Sequence, residues 1–415
     1  MSSSTSGEAP EASSRLSPLA RVIIAATGTR LLVLGVAFAT VAVVGIHGVP
    51  MSLRFPSGAE TLSGWLGDLV NPWAHYDGVW FIRIASRGYA STDGSTAFFP
   101  LFPLMLKYLG MVLGNLVVTG IVISTACYAV SVWLLYRIVS SDFDRETTSR
   151  AAVYLCVGSF SFFFQAVYTE SLFLALTLAC FVLAREHRWV LAGLVAALAA
   201  LTRSTGVLLL IPMAIYYYES RDWSIRRTDR HAAGLILVPV GLLLWIAYLG
   251  LRFGKPLLFA ESQGQWHRQL AAPNFTVARG VQAAAGGLLQ LLSMQSERLF
   301  WNAQTHRGSF DLAVTNIVAL GCFTIAGLLL WYGARRLPRA YWWFALASLA
   351  YPLCFPSSFS PLKSYPRLAL VVFPLYVCLA LFPRCRPRLH RAAVVAGLIL
   401  LVVFTAKFAL FSWVA

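Results

Sequence analysis

Ala232-Ala-Gly-Leu-Ile-Leu-Val-Pro-Val-Gly-Leu-Leu-Leu-Trp-Ile-Ala-Tyr-Leu-Gly-Leu251 runs without a single charge. As a helix rising about 1.5 Å per residue, such a run crosses the roughly 30 Å apolar core of a bilayer. Comparable runs recur at Leu31–Val44, Leu116–Leu135, Leu312–Leu330 and Ala392–Phe411. Across the 415 residues, 58% are hydrophobic and 12% are charged, against roughly 25% charged in an average soluble domain. A soluble core of this length cannot hide that much apolar surface. The sequence therefore predicts an all-α polytopic membrane protein.

The formal net charge is +16, and the arginines lie between apolar runs rather than on one face. That distribution argues against a nucleic-acid partner and for topology signals, because positive residues stay cytoplasmic. Arg-rich segments fall at Arg15–Arg21, Arg137–Arg150, Arg185–Arg188, Arg221–Arg230, Arg335–Arg339 and Arg384–Arg391. Placing all six inside gives about 11 transmembrane helices and two long outer loops, about 48–96 and 252–310. The first loop is expected to carry interfacial helices. Short outer turns are expected near 160–169, 203–205 and 356–366. Residues 1–20, rich in Ser, Glu, Pro and Ala, read as a disordered cytoplasmic N-terminus. Residues 21–415 read as a single transmembrane domain, opening with a retained signal anchor near Val22. Phe98–Leu113, with Pro100 and Pro103 near its start, does not fit as a full span and is expected to be re-entrant or interfacial. The seven cysteines are scattered singly and read as small hydrophobes. No Gly-rich phosphate loop is present, which argues against ATP-driven work.

This topology leaves Glu60, Asp68, Asp77, Asp93, Glu170, Glu261, Glu297 and Asp311 as the outer acids. The most informative outer stretch is Asn71-Pro-Trp-Ala-His-Tyr-Asp-Gly-Val-Trp-Phe-Ile-Arg-Ile-Ala-Ser-Arg-Gly-Tyr89. Asn71 suits an N-cap, Pro72 the first helical position and Gly88 the stop. Trp73, Tyr76, Trp80 and Ile84 recur at helical spacing, with Arg83 and Arg87 on another face. The pattern predicts an amphipathic interfacial helix with Asp77 inside it. An acid among aromatics at a membrane surface loses hydration and suits a general base. An Asp paired with Arg83 or another arginine for structure explains the same residues.

Gln165, Tyr168, Thr169 and Glu170 fall at an expected outer turn, where Thr169 can cap the next helix and Glu170 can sit at its positive end. A carboxylate so near the apolar core also needs a partner or a task. Arg203, in Leu201-Thr-Arg-Ser-Thr-Gly206, has no acid beside it. Either a phosphate or a snorkelling position among headgroups would satisfy it. Trp266 with His267 and Arg268 could take a sugar face and a phosphate, or simply be solvated. Lys363 and Arg367, around Ser364-Tyr-Pro-Arg367, open a late helix and face either a phosphate or the interface.

In this order the segments resemble the PIG-V family, the GPI mannosyltransferase 2 type. Tyr76-Asp-Gly…Phe81-Ile-Arg-Ile-Ala…Gly88-Tyr89 with Ala97-Phe-Phe-Pro-Leu-Phe-Pro103 resembles the family's Trp-Asp helix and Phe-Pro segment. Ala166-Val-Tyr-Thr-Glu-Ser-Leu-Phe173 resembles its Tyr-Ser-Glu-Ser motif, and Leu201-Thr-Arg-Ser-Thr-Gly206 its Arg-Ser-Asn-Gly region. Tyr76 stands where the family usually has Trp, and Thr205 where it has Asn; both departures bear on acceptor recognition. The Ala-, Leu-, Val- and Arg-rich composition, with only four lysines, suggests a bacterial relative placed in the inner membrane.

The resemblance implies the GT-C fold, a polyprenyl-phosphate-mannose donor and a lipid or glycan acceptor, with the active site on the extracytoplasmic face. It implies Asp77 as general base and Arg203, with Lys363 or Arg367, as stabilisers of the leaving phosphate. Glu170 would orient hydroxyls, with Tyr76, Gln165, Tyr168, His267 and Arg268 in the substrate site. A single displacement inverts the sugar carbon. No cofactor and no metal are expected. Two rival classes stay open: a lipid or glycolipid transporter or flippase, with a polar path through the bilayer, and a non-catalytic envelope scaffold.

Overall fold

Ser17 opens the first helix by accepting a hydrogen bond from the Ala20 amide, and Pro18 occupies the first helical position. The computed structural model describes residues 16–46, 62–293, 309–358, 360–382 and 386–414. Residues 1–15, most of the expected disordered start, lie outside this set, as do Glu60 and Glu297. Helix formation by Pro18 ends the expected disordered stretch earlier than residue 20.

In chain order the helices are α1 (Pro18–Val44), α2 (Gly64–Val70), α3 (Asp77–Arg87), α4 (Leu101–Leu113), α5 (Leu116–Ser140) and α6 (Arg145–Val157). There follow α7 (Glu170–Arg185), α8 (Trp189–Thr202), α9 (Leu210–Glu219), α10 (Ala233–Phe253), α11 (Leu258–Glu261) and α12 (Pro273–Ser293). The last are α13 (Ser309–Gly333), α14 (Arg339–Ala350), α15 (Tyr365–Leu370), α16 (Pro374–Leu381) and α17 (Pro387–Ala409). Beyond one isolated bridge between Arg268 and Ser357, the described residues form no strand.

Among the described residues five helices are long and apolar enough to cross a membrane: α1, α5, α10, α13 and α17. The other expected passages are shorter. For example, α6 has 13 residues, α7 has 16 and α8 has 14, or roughly 20–24 Å of helix. The expected figure of about 11 rested on apolar runs, and several of those runs are broken. The passage that begins at α8 stops at Arg203, whose backbone is extended (φ −155°, ψ 145°), and resumes through a 3₁₀ turn, Ser204–Leu209, into α9. The α15–α16 passage breaks between Leu370 and Pro374. Irregular backbone at such depth is tolerated where it lines a cavity, and Arg203, Ser204 and Thr205 do line one. Phe98–Leu113 forms only the 13-residue α4 after Pro100, too short for a full crossing. The expected second outer loop, 252–310, holds α11, a 3₁₀ turn (Ser262–Trp266) and the 21-residue α12, packed along α13.

Small residues let the central helices approach closely. A Cβ on Gly241 of α10 would lie 2.0 Å from the Ala197 carbonyl oxygen of α8, and one on Gly193 would lie 2.1 Å from that of Gly234. The Arg-rich ends carry their own ion pairs. Arg21 and Arg150 bind Glu146 at 2.6 and 2.9 Å, and Arg185 binds Asp142 at 2.6 Å. Arg185 closes the same helix that Glu170 opens, so the Arg185–Asp142 pair and the Glu170 ion pairs occupy opposite ends of α7.

Candidate active site

The segment 71–89 folds differently from the single helix its spacing predicts. Asn71–Ala74 makes one 3₁₀ turn, and His75 is extended. Tyr76 then takes a left-handed φ of 54° with ψ −112°, a strained conformation for a bulky side chain. Only at Asp77 does α3 begin. Asp77 is therefore the first residue of a helix rather than an interior one, where the exposed amides favour a carboxylate. Gly88 ends the helix at φ 79°, as expected. Because the register restarts at Asp77, Trp73 is fully buried. Asp77, Trp80, Arg83 and Arg87, spaced three or four apart, all line the cavity. Ile82 and Ala85 on the other side, with Phe81 at the cavity's edge, pack against Phe102 and Leu106 of α4.

The cavity holds about 930 Å³, within the range of small-molecule sites. Its charged groups come from distant parts of the chain. Arg367 Nη1 lies 2.6 Å from Asp77 Oδ2, and its Nε lies 3.0 Å from Glu170 Oε1. Arg203 Nη1 reaches the same Glu170 oxygen at 3.2 Å. Two carboxylates and two guanidinia thus form one balanced network. The acid missing beside Arg203 in sequence is supplied by α7. Asp77's expected arginine is Arg367, while Arg83 binds Asp93 at 2.8 Å. Asp77 Oδ1 accepts no hydrogen bond among the described residues.

Arg268 and Lys363 also line the cavity and make no ion pair among the described residues. Arg268 donates to the Lys363 carbonyl at 3.3 Å, and the Lys363 ammonium lies 4.9 Å from the centre of the Trp413 ring. Burial, then the charge of Arg367, lowers the Arg268 guanidinium to about 10. Burial, then Arg268, lowers Lys363 as well. Two cations held below their ordinary range and without acids can receive an anion.

The other expected residues divide. Tyr76 lines the cavity, stacked on Phe411 with ring centres 4.6 Å apart. Tyr168 is buried behind Asp77: its hydroxyl donates to the His75 carbonyl at 3.1 Å and receives the Asp77 amide at 3.4 Å. Glu170 is 1% exposed and does not line the cavity. Two arginines engage its Oε1, while Oε2 is buried without a hydrogen bond, so the carboxylate lies behind the cavity rather than on its wall. Thr169 stands at the N-cap position without a side-chain cap bond. Gln165 is buried and donates to Thr125 at 3.1 Å, away from the cavity. His267 is exposed, in a left-handed turn that separates Trp266 from Arg268, and does not line the cavity. Sequence reasoning missed Phe411 and Trp413, which form a wall of the site after α17. Their only signal was aromatic residues at and just past the end of the Ala392–Phe411 apolar run. Among the described residues no group of three or more His, Cys, Asp and Glu is arranged to hold a metal.

Five membrane-length helices define a polytopic α-helical membrane protein, and its cavity is lined by one carboxylate, Asp77, with guanidinia, an ammonium group and aromatic rings. Residues 49–240 match the family model described as mannosyltransferase (PIG-V), the family that the motifs resemble. The chain is 27% identical over 165 residues to GPI mannosyltransferase 2 of Drosophila pseudoobscura pseudoobscura, covering 35% of this chain and 36% of that protein. It is 27% identical over 139 residues to GPI mannosyltransferase 2 of Schizosaccharomyces pombe, covering 32% and 30%. The matches thus span about a third of these relatives' length. The oligosaccharyltransferase of Archaeoglobus fulgidus shares 14% identity with a TM-score of 0.44, covering 95% of this chain and 53% of that one.

Proposed function

We propose that this protein is a membrane mannosyltransferase that moves a sugar from a polyprenyl-phosphate-mannose donor to a lipid or glycan acceptor on the extracytoplasmic face. The observation that carries the reading is the pairing of one cavity acid, Asp77, with a surplus of two cations, Arg268 and Lys363, across the same cavity. The donor is a phosphodiester with one negative charge. Its leaving group, a phosphomonoester, carries roughly −1.5 to −2. A balanced network plus two unpaired positive charges matches that growing charge, which stabilises the transition state more than the ground state.

In this reaction an acceptor hydroxyl attacks the anomeric carbon. The new carbon–oxygen bond forms as the bond to the phosphate oxygen breaks, and the phosphate leaves with the electron pair beside Arg268 and Lys363. Asp77 takes the hydroxyl proton on Oδ1, its oxygen without a hydrogen bond. Arg367 fixes the carboxylate through Oδ2, and Tyr168 braces the turn that presents it. Glu170 anchors Arg203 and Arg367, a supporting task in place of hydroxyl binding. One displacement inverts the sugar carbon.

What supports an enzyme over a transporter is the gathering of charge in one cavity: Asp77, Arg203, Arg268, Lys363 and Arg367 all line it. A transporter needs polar groups along a path through the bilayer. The test is Asp77→Asn, assayed for transfer from polyprenyl-phosphate mannose in proteoliposomes. A general base contributes roughly 10²–10⁴-fold. Activity within a few-fold of the unaltered protein removes Asp77 from that role.

A further inference from the structure

Residues with side chains rarely take a positive φ, yet Tyr76 (φ 54°), Ser364 (φ 64°) and Phe411 (φ 62°) all line the cavity. Tyr76 precedes Asp77, and Ser364 follows Lys363. Phe411 stacks on Tyr76, with the ring planes at 29°. Such torsions persist only where the surroundings over-determine them, and they gather at functional sites.

The surroundings of Tyr76 are supplied by the end of α17. There the chain turns back on itself: the Leu410 amide donates to the Ala406 carbonyl at 3.1 Å, the Phe411 amide to Phe408 at 3.1 Å and the Ser412 amide to Lys407 at 2.9 Å. The turn carries two rings onto Tyr76, Phe411 face-on and Trp413 edge-on, the latter at 5.1 Å and 85°. Phe408 adds a third ring at 5.9 Å. The Tyr76 hydroxyl is buried without a hydrogen bond, so ring packing holds this side chain. His75 is tied to the same helix end. Its Nδ1 lies 3.1 Å from the Phe408 carbonyl, and because a carbonyl only accepts, Nδ1 carries the hydrogen. The imidazole is fully buried, with Phe411 at 4.7 Å. Trp413 meanwhile lies under the Lys363 ammonium.

We propose that Phe408–Trp413 is a positioning clasp: it holds the Tyr76 torsion from which α3 starts, and so fixes where Asp77 stands relative to Lys363. Phe411 is its central positioning residue. The effect on turnover rests on the proposed transfer reaction, whereas the hold on the turn does not. Asp77 follows the strained torsion directly, so a Tyr76 relaxed into an ordinary backbone region swings the carboxylate away from Arg367. The Gly78 and Val79 amides donate to the His75 and Tyr76 carbonyls at 3.1 Å each, and both bonds depend on that torsion. A misplacement of about 1 Å in a catalytic geometry can cost about 10²-fold in rate.

The test uses Phe411→Gly in the full chain. Glycine accepts positive φ without steric cost, so this substitution removes the ring and spares the turn. In nanodiscs, hydrogen–deuterium exchange read by mass spectrometry should speed at least about fivefold in peptides covering 73–80 and stay within about twofold in α8 and α10. Unchanged exchange in those two helices shows that the variant is folded. In proteoliposomes, kcat for transfer should fall about tenfold or more, with the donor KM within about twofold. Phe411→Tyr keeps the ring and should restore both slow exchange and most of kcat. Should Phe411→Gly not fold, Trp413→Ala gives the same two readings. The proposal is overturned if exchange over 73–80 is unchanged, if exchange speeds alike throughout the chain, or if kcat is unchanged in a protein whose transfer Asp77→Asn abolishes. Where the unaltered protein transfers no sugar, or Asp77→Asn keeps its activity, the transfer reading fails and the local exchange alone decides whether the clasp stands.

Discussion

Replacing Glu170 by Gln is the sharpest test of the ion network. Its carboxylate is 1% exposed and holds Arg367 at 3.0 Å and Arg203 at 3.2 Å through one oxygen. At an effective dielectric of about 20, each attraction is worth roughly 5 kcal/mol before desolvation. The substitution removes both and leaves two guanidinia, 13% and 14% exposed, with Asp77 as their only remaining acid in the network. Breaking a buried pair from one side costs about 3–5 kcal/mol, because the partner stays behind uncompensated. With about 2.1 cal/mol/K of unfolding entropy per residue, a chain of this length should lose roughly 3–6 °C in Tm. Transfer should also fall by about tenfold or more, since Arg367 is no longer held on both sides and 1.4 kcal/mol of misplacement suffices. Thermal unfolding in detergent and transfer in proteoliposomes are the assays. Adding Arg203→Met, which removes the stranded cation, should recover part of the lost Tm. A Glu170→Gln protein with unchanged Tm and unchanged activity refutes the account.

Other expectations follow from the same geometry. Arg268→Gln and Lys363→Met should each weaken polyprenyl phosphate binding. The Lys363 ammonium, held below its ordinary range by burial and by Arg268, is protonated below that lowered value and loses its charge above it. The affinity of the unaltered protein should therefore fall as pH rises through the lowered lysine range while Arg268 stays charged; affinity flat across that range counts against Lys363 as a phosphate ligand. Tyr168→Phe, which removes hydroxyl bonds to His75 and Asp77, should cost about 1 kcal/mol and lower kcat more than KM. An unchanged kcat would show that Asp77 does not need that brace. Gly241→Val should prevent α8 and α10 from closing, seen as loss of folded protein in size-exclusion chromatography.

Much of the site was legible before any coordinates. Asp77, Arg203, Lys363 and Arg367 were picked out as charges in apolar surroundings, and charge in such a setting needs a partner. Partner choice was not legible, because Asp77 and Arg367 are 290 positions apart and spacing carries no information across that distance. Trp73 was misread as an element of the helix face because the left-handed Tyr76 resets the register, and a single backbone torsion leaves no periodic trace. Glu170, read as a ligand-binding acid, lies buried between two arginines, since burial depends on what packs over a residue.

The sequence by itself determined the membrane class, the places where chains of apolar residues stop, and the charged residues that any site must use. These follow from local composition, because a bilayer solvent judges each run on its own. Only the tertiary structure decided which charges cancel, which remain for a ligand, and that the end of α17 packs on the turn that presents Asp77. Those are properties of distances between remote residues, set by helix packing and loop contacts that no single stretch of chain contains.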